Sequence, residues 1–337
     1  MNTRRLALAV VVAAACTVEQ LATPAPTFEV PDAQTGIWYK GNTHTHTTNS
    51  DGDSPPEVVA RWYKDHGYDF LVLSDHNVFT DPATLASLVD SSFLLIPGEE
   101  VTSAFDGRPV HVNGLNLAGQ VEPRTAETMV GTIQANVDAV REVDGVPHIN
   151  HPNFRWAFGV EELAQVERDR LLEIFNGHPT VHNVGGGGTP GMEEVWDALL
   201  TGGMRIYGIA VDDAHHFQGE FGRDRANPGR GWVAVQAADK SPRALMAALE
   251  AGRFYASSGV DLSDIVVAPR RLEVHVAERG DFRYTTTFIG SRGRVLATTA
   301  ENPAVYVPDG TEGYVRARVT DSMGYHAWTQ PVFLSEG

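Results

Sequence analysis

Between residues 36 and 252, short apolar runs alternate with longer segments whose apolar positions recur three and four apart. The short runs, at 37–44, 69–74, 93–97, 110–115, 146–150, 171–175 and 205–211, predict strands. The longer ones, PPEVVARWYKDHG, DPATLASLVD, ETMVGTIQANVDAVREV, GVEELAQVERD, TPGMEEVWDALLTGG and SPRALMAALEAG, predict helices. Several open on Ser, Thr, Asp or Pro and close on Gly. Strand–helix alternation of this kind predicts an α/β fold with parallel strands, and about seven strands predict a barrel.

After residue 252 the helical period disappears. FYASSGV, IVVAP, LEVHVAE, YTTTFIG, RVLATTA, AVYVPDG, YVRARVTD and HAWTQPVF read as strands separated by Gly and Pro turns. The expected organisation is a barrel over residues 36–258 and a β-rich module over residues 259–337 packed on it.

The amino terminus differs in kind. Arg4 and Arg5 precede an apolar run at 6–15, too short for a bilayer core of roughly 30 Å, and the pattern reads as an export signal. The run ends in Ala-Ala-Ala-Cys, and Cys16 is the only cysteine, so no disulfide can form within the chain. Residues 1–16 resemble a bacterial lipoprotein signal, although Ala13 stands where leucine is commonest. An ordinary signal peptide cut near Ala15 or Ala22 is the competing expectation. Residues 17–35, with TPAPTFEVPD, read as a tether. The expected location is periplasmic or at the cell surface, with membrane contact only through a lipid at Cys16.

Hydrophobic residues make up 42% of the 337 and charged residues 20%, a globular composition. The balance of 26 basic against 43 acidic residues gives −17, and loss of Arg4 and Arg5 would make it −19. Such a surface repels polyanions and argues against bulk nucleic acid as a partner. A small anionic ester remains compatible with a metal site.

The candidate chemistry sits where the strands end. In GNTHTHTTNSDGD, His44 and His46 stand two apart and so face the same way on a strand. FLVLSDHN then delivers Asp75 and His76; FLLIPGEEVT, Glu99 and Glu100; RPVHVNGL, His111; VPHINHP, His148 or His151; and IAVDDAHH, Asp212, Asp213, His215 and His216. At the carboxyl mouth of a parallel barrel these groups converge. Crowded acids and imidazoles call for cations. Mixed imidazole–carboxylate ligation suits zinc, manganese or iron better than magnesium, and with no cysteine nearby a thiolate-type structural zinc site is excluded.

In this order HTHTTNSDG, LSDHN, PGEEVT, the His111 strand, INHP and DDAH resemble the PHP family, named for polymerase and histidinol phosphatase domains. The branch most similar is the CehA/McbA-type metal-dependent phosphoesterases. The resemblance implies a distorted (β/α)7-type PHP barrel over about residues 36–260. It also implies that His44, His46, Glu100 and Asp213 hold one ion, and that Glu100, His111 and His151 hold a second. Asp51, His76 and His215 match positions that complete a third. Spacing alone leaves Glu99 and Glu100 open, and the family's Pro-Gly-x-Glu pattern selects Glu100. Asp213 is taken over Asp212 because it stands two before His215.

Two or three divalent ions would then activate a bridging hydroxide for attack on a small phosphate ester. Asp75 is expected to orient an imidazole or a water, with a loop-capping turn aspartate as the bland alternative. His178, His182 and Arg253 are candidate substrate contacts. Arg155, Arg223 and Arg225 are further possible phosphate clamps. The Gly185–Gly188 run reads as a loop rather than a phosphate cradle. Trp156 and Phe158 would give the pocket an aromatic lining, which favours the competing reading, a carbamate, amide or carboxylic ester hydrolase with the same metals. A non-enzymatic metal-containing surface module is the third reading.

Overall fold

The computed structural model describes residues 25–31 and 36–335. The expected signal with Cys16 lies outside the described residues. Among those described, no helix is long and apolar enough to cross a membrane.

The first part of the chain runs β1 (Ile37–Asn42), α1 (Pro56–Asp65), β2 (Phe70–Val72), β3 (Leu94–Ile96), β4 (Gly98–Phe105), β5 (Arg108–Leu115), α2 (Met129–Glu142) and β6 (Val146–Ile149). It continues through α3 (Val160–Leu163), β7 (Leu171–Asn176), α4 (Met192–Thr201), β8 (Tyr207–Val211), β9 (Trp232–Ala237), α5 (Pro242–Glu250) and β10 (Phe254–Ser257). β2, β6 and β8 are buried along their whole length. One face of these strands packs into a core shared with neighbouring strands and the other against helices, which is why they read as continuous apolar runs.

β1, β2 and β3 pair in parallel, as do β6, β7 and β8. Two short parallel bridges, Thr45 to Ala214 and His76 to Glu100, link these two sheets just beyond the carboxyl ends of β1, β8 and β2. The fold is therefore mixed α/β, with the strand ends brought together at one mouth.

Three local expectations change. The segment after Pro97 is a full strand, β4, and it forms a hairpin with β5 whose ends pair Phe105 with Arg108. The two residues between them are Asp106 and Gly107, both at positive φ (50° and 72°). This is the primed two-residue turn that matches the twist of paired strands. β5 therefore runs antiparallel to β4 and β6, so the strands are not uniformly parallel. β9 was not anticipated; it pairs antiparallel with β1 and with β10. Finally, DPATLASLVD forms a 3-10 helix with a kink at Leu85, and GVEELAQVERD keeps only the single turn of α3.

The remaining strands are β11 (Leu262–Ala268), β12 (Arg271–Val276), β13 (Tyr284–Gly290), β14 (Arg294–Thr299), β15 (Ala304–Tyr306), β16 (Tyr314–Asp321), β17 (His326–Thr329) and β18 (Val332–Phe333). β17 pairs with β10, so one sheet continues from β9 and β10 through β17, β16, β13 and β14. Ala234 and Tyr255 share a core with Leu272, Phe288 and Val315. Opposite it, Arg316 of β16 is 1% exposed and grips Asp197 of α4 with two bonds of 2.8 and 2.7 Å.

Part of the expected tether is packed as well. Phe28 is buried, the Phe28 amide donates to the Pro269 carbonyl, and Glu29 forms a two-bond pair with Arg205. An aromatic ring packed on the β-rich module and a carboxylate matched to Arg205, just before β8, hold residues 25–31 in place; they are not a free spacer.

Candidate metal centre

His44, Thr45 and His46 follow directly on β1, and the turn after them folds back tightly. A Cβ on Gly52 would sit 2.8 Å from the His46 carbonyl carbon and oxygen, so only glycine lets this turn close. His46 and Asp213 are tied across the mouth by backbone bonds, His46 N–H to the Ala214 carbonyl and Asp213 N–H to the His44 carbonyl (2.9 and 3.0 Å). Asp213 adopts φ 49°, a left-handed conformation uncommon for a residue with a side chain and often kept where geometry matters.

Glu100 stands at the centre. Its Oε2 lies 3.4 Å from Nε2 of His44 and of His46 and 2.8 Å from Nδ1 of His76; its Oε1 lies 2.9 Å from Nδ1 of His111 and 3.3 Å from Nε2 of His151. Asp213 Oδ1 lies 3.4 Å from His44 Nε2, 3.2 Å from His46 Nε2 and 3.6 Å from His215 Nδ1. Asp51 reaches His215, His46 and His76 at 3.3, 3.4 and 3.6 Å. All nine residues expected as ligands thus meet in one place. Their donor atoms fall into four overlapping groups: His44, His46 and Glu100; His44, His151 and Asp213; His76, Glu100 and His111; His46, Asp51, His76 and His215.

The adjacent acids point elsewhere, which decides what spacing left open. Glu99 accepts from the Val121 amide on the far side of the strand, and burial raises its carboxyl to about 7. Asp212 takes the amides of Gly229, Arg230 and Gly231 and the Tyr63 hydroxyl. It anchors the loop before β9.

The electrostatics fit bound cations. Burial opposes charge on His44, yet the carboxylates of Asp213, Glu100 and Glu173 outweigh it and raise its pKa well above the usual imidazole value. Burial, reinforced by His215, pushes His46 down to about 3. Burial works against ionised Glu100, but His76, His111 and His44 hold it well below the ordinary carboxylate range. Nε2 of His44 and Nε2 of His46 stand 3.2 Å apart, and buried Glu100 Oε2 receives no well-directed hydrogen bond although His76 Nδ1 lies 2.8 Å away. Facing imidazole nitrogens and an unmatched carboxylate oxygen are what divalent cations satisfy.

Residues behind these donors were partly missed. Glu173, from the apolar strand LLEIFN, places Oε1 2.6 Å from His44 Nδ1, while its Oε2 accepts from the His151 amide and from Asn176. A lone acid inside a buried strand was the available signal. Asn150 donates to Glu100, and Thr102 faces His76 Nδ1 at 2.6 Å. Asp75 spends its carboxylate on the Thr47 amide and hydroxyl and on Ser50, whose Oγ lies 3.3 Å from His46 Nδ1. It touches none of the nine donor side chains directly and reaches the His46 ring only through Ser50, so an orienting role of the kind expected would be exerted through the loop that presents His46.

A cleft of about 120 Å³ opens on the cluster, lined by Asp51, His76, His111, His151, His178 and Asp213 together with Phe154 and Val181. His178 is therefore where the sequence put it. The Thr180 amide donates to its Nδ1, and burial lowers its pKa. His182 is displaced from the cleft: its ring is stacked on Trp156 at 4.4 Å. Arg253 is a correction. It precedes β10 and lines a separate cavity with Glu29, Tyr207 and Phe254, because β10 runs parallel to β1 and its amino end faces away from the mouth. Phe158 lies in the core, and the aromatic lining is Phe154 instead. Arg225 is engaged by the Gln218 carbonyl.

No protein-family model matches the chain. Among curated proteins, a 5'-3' exoribonuclease of Haemophilus influenzae is 39% identical over 81 residues, and the 5'-3' exoribonuclease Rnm of Escherichia coli is 31% identical over 77. These matches cover 23% and 22% of this chain and 29% and 26% of those proteins, so the chain spans less than a third of the relatives it matches. Among solved structures, a two-domain protein of Bacteroides vulgatus containing a predicted PHP-like metal-dependent phosphoesterase superposes with a TM-score of 0.52. It is 17% identical, with 94% of this chain and 92% of that one covered. The likeness is one of fold across both parts of the molecule.

Proposed function

We propose that the chain is a metal-dependent hydrolase of the phosphoesterase type, acting on a small phosphate ester. The observation that carries this reading is the placement of Glu100 and Asp213, two buried carboxylates each ringed by three or more imidazoles, at the floor of an open cleft. His44, His46, His76, His111, His151, His215, Asp51, Glu100 and Asp213 would hold two or three divalent ions. Such ions, when bound, supply Lewis-acid neutralisation of phosphoryl oxygens and lower the pKa of water toward neutrality.

The chain's own groups do the rest. Glu173 keeps His44 oriented through Nδ1, and Ser50 with Asp75 does so for His46. Because the Thr180 amide donates to Nδ1 of His178, the neutral ring carries its proton on Nε2, from which it can donate a hydrogen bond to an oxygen of the ester. The names of the curated relatives denote hydrolysis of phosphate esters in RNA. A net charge of −17 disfavours a long polyanion on this chain, so a small ester is the better reading.

Phe154 and Val181 at the cleft favour a second reading in one respect, since an apolar wall also suits a carboxylic ester or carbamate. Export to the periplasm or cell surface, with a lipid on Cys16, belongs to the same proposal and rests on residues 1–16 alone. The deciding experiment compares a chromogenic phosphomonoester, a phosphodiester and a carboxyl ester on protein reconstituted with zinc or manganese, with His46→Ala as control. Phosphoester turnover lost in the variant is expected. Turnover of the carboxyl ester alone would transfer the assignment to the second reading.

A further inference from the structure

Beside the cleft stands an aromatic pair that the hydrolytic chemistry does not use. The rings of Trp156 and His182 lie 4.4 Å apart and 10° from parallel, and the indole remains 41% exposed. Each partner adjoins a residue of the cleft wall: Phe154 is two positions before Trp156, and Val181 immediately precedes His182. Asn153 ties the two loops together, its amide nitrogen donating to the carbonyls of His182 and Pro190 at 3.0 Å each. The pair is thus held by two loops that also wall the cleft, although a large exposed ring is ordinarily drawn inward.

The backbone at this point is unusual. Arg155 and Trp156 both adopt left-handed conformations, φ 51° and 55°, although neither is glycine. The Arg155 guanidinium rests over the Phe154 ring at 5.3 Å and, among the described residues, has no carboxylate partner. A flat π surface and a guanidinium without a carboxylate partner are therefore carried on the two loops that supply Phe154 and Val181 to the cleft wall.

We propose that Trp156 and His182 form a stacking subsite for a planar aromatic group on the alcohol side of the phosphate ester, with Arg155 beside it to meet anionic oxygen. This deepens, and rests on, the phosphoesterase reading. Aromatic side chains recognise such groups by face-to-face contact that is indifferent to hydrogen-bonding pattern. The planar group is either a simple aryl ring or a nucleobase, and the probes separate the two. Benzyl phosphate and cyclohexylmethyl phosphate release alcohols of similar acidity and differ in ring planarity at similar size. Adenosine 5'-monophosphate and ribose 5-phosphate differ by the base alone.

The test measures kcat/KM for both pairs on the manganese-reconstituted full chain and on Trp156→Ala, Trp156→Phe and His182→Ala. The parent should prefer the planar member of at least one pair by roughly ten-fold, the scale of one base–aromatic stack. Trp156→Ala should bring that ratio close to one, and Trp156→Phe should restore much of it. A purely structural role for Trp156 would lower both members of a pair together and leave the ratio intact, which overturns the proposal, as does a parent with no preference. If the reconstituted parent cleaves no phosphoester, the functional reading fails separately. Equilibrium dialysis of benzyl and cyclohexylmethyl phosphate against parent and Trp156→Ala then decides the subsite by the same ratio.

Discussion

Oε1 of Glu173 lies 2.6 Å from Nδ1 of His44, with both side chains fully buried. The bond assigns the two imidazole nitrogens: Nδ1 faces the acid, and Nε2 faces Glu100 and Asp213.

Replacing Glu173 by Gln keeps the shape and removes the charge that raises the basicity of His44. Loss of an outer partner of this kind weakens metal affinity by about 10–100-fold. Competition with a chromophoric chelator measures it directly. Affinity equal to the parent's would show that Glu173 serves packing alone.

His46→Ala removes a donor shared by two of the four groups of candidate ligands. Its effect should exceed the roughly 10–100-fold typical of an outer partner. The zinc or manganese content after dialysis should fall by at least one ion per chain, read by elemental analysis. In the parent, saturating metal should raise the melting temperature, and a chelator should reverse the rise.

Asp169 is a pH-sensitive position far from the cleft. Burial raises its carboxyl from the ordinary 3.8 to about 8, and its Oδ2 has no hydrogen-bond partner. The unfolded chain loses this proton near 3.8 and the folded chain near 8, so the unfolded state binds fewer protons in between. Stability from this group is therefore full below about pH 4, declines as pH rises to about 8, and then levels off. Urea unfolding from pH 5 to 9 should show Asp169→Asn gaining on the parent as pH rises. A gain independent of pH would refute the assignment.

Arg316 and Asp197 join β16 to α4 in a buried pair, with Tyr314 and Glu193 completing it. Arg316→Ala strands the Asp197 charge, a loss of roughly 3–5 kcal/mol for a buried pair. Adding Asp197→Leu should return part of that stability, because the uncompensated charge is gone. Denaturant midpoints of parent, single and double variants measure both effects.

Much of this molecule can be read along the chain. The 3.6 period of α1, α2, α4 and α5 and the apolar runs of β1, β2 and β6 to β8 follow from local burial patterns, which sequence carries directly. The pool of acids and imidazoles at the mouth was legible because they follow or lie within apolar strands whose ends converge, whereas the choice of nine ligands from it, with Asp51 added, came from the family resemblance. Tertiary structure alone decided the direction of β5, the pairing of β9 with β1, the merging of the β-rich strands into the same sheet, and the removal of Arg253 from the mouth. It also selected Glu100 and Asp213 over the adjacent Glu99 and Asp212 on geometric grounds, and it revealed Glu173. Periodicity records whether a residue is buried. It does not record which partner it is buried against, because hydrogen bonds and charge pairs join positions such as 44 and 173 that only the folded chain brings together.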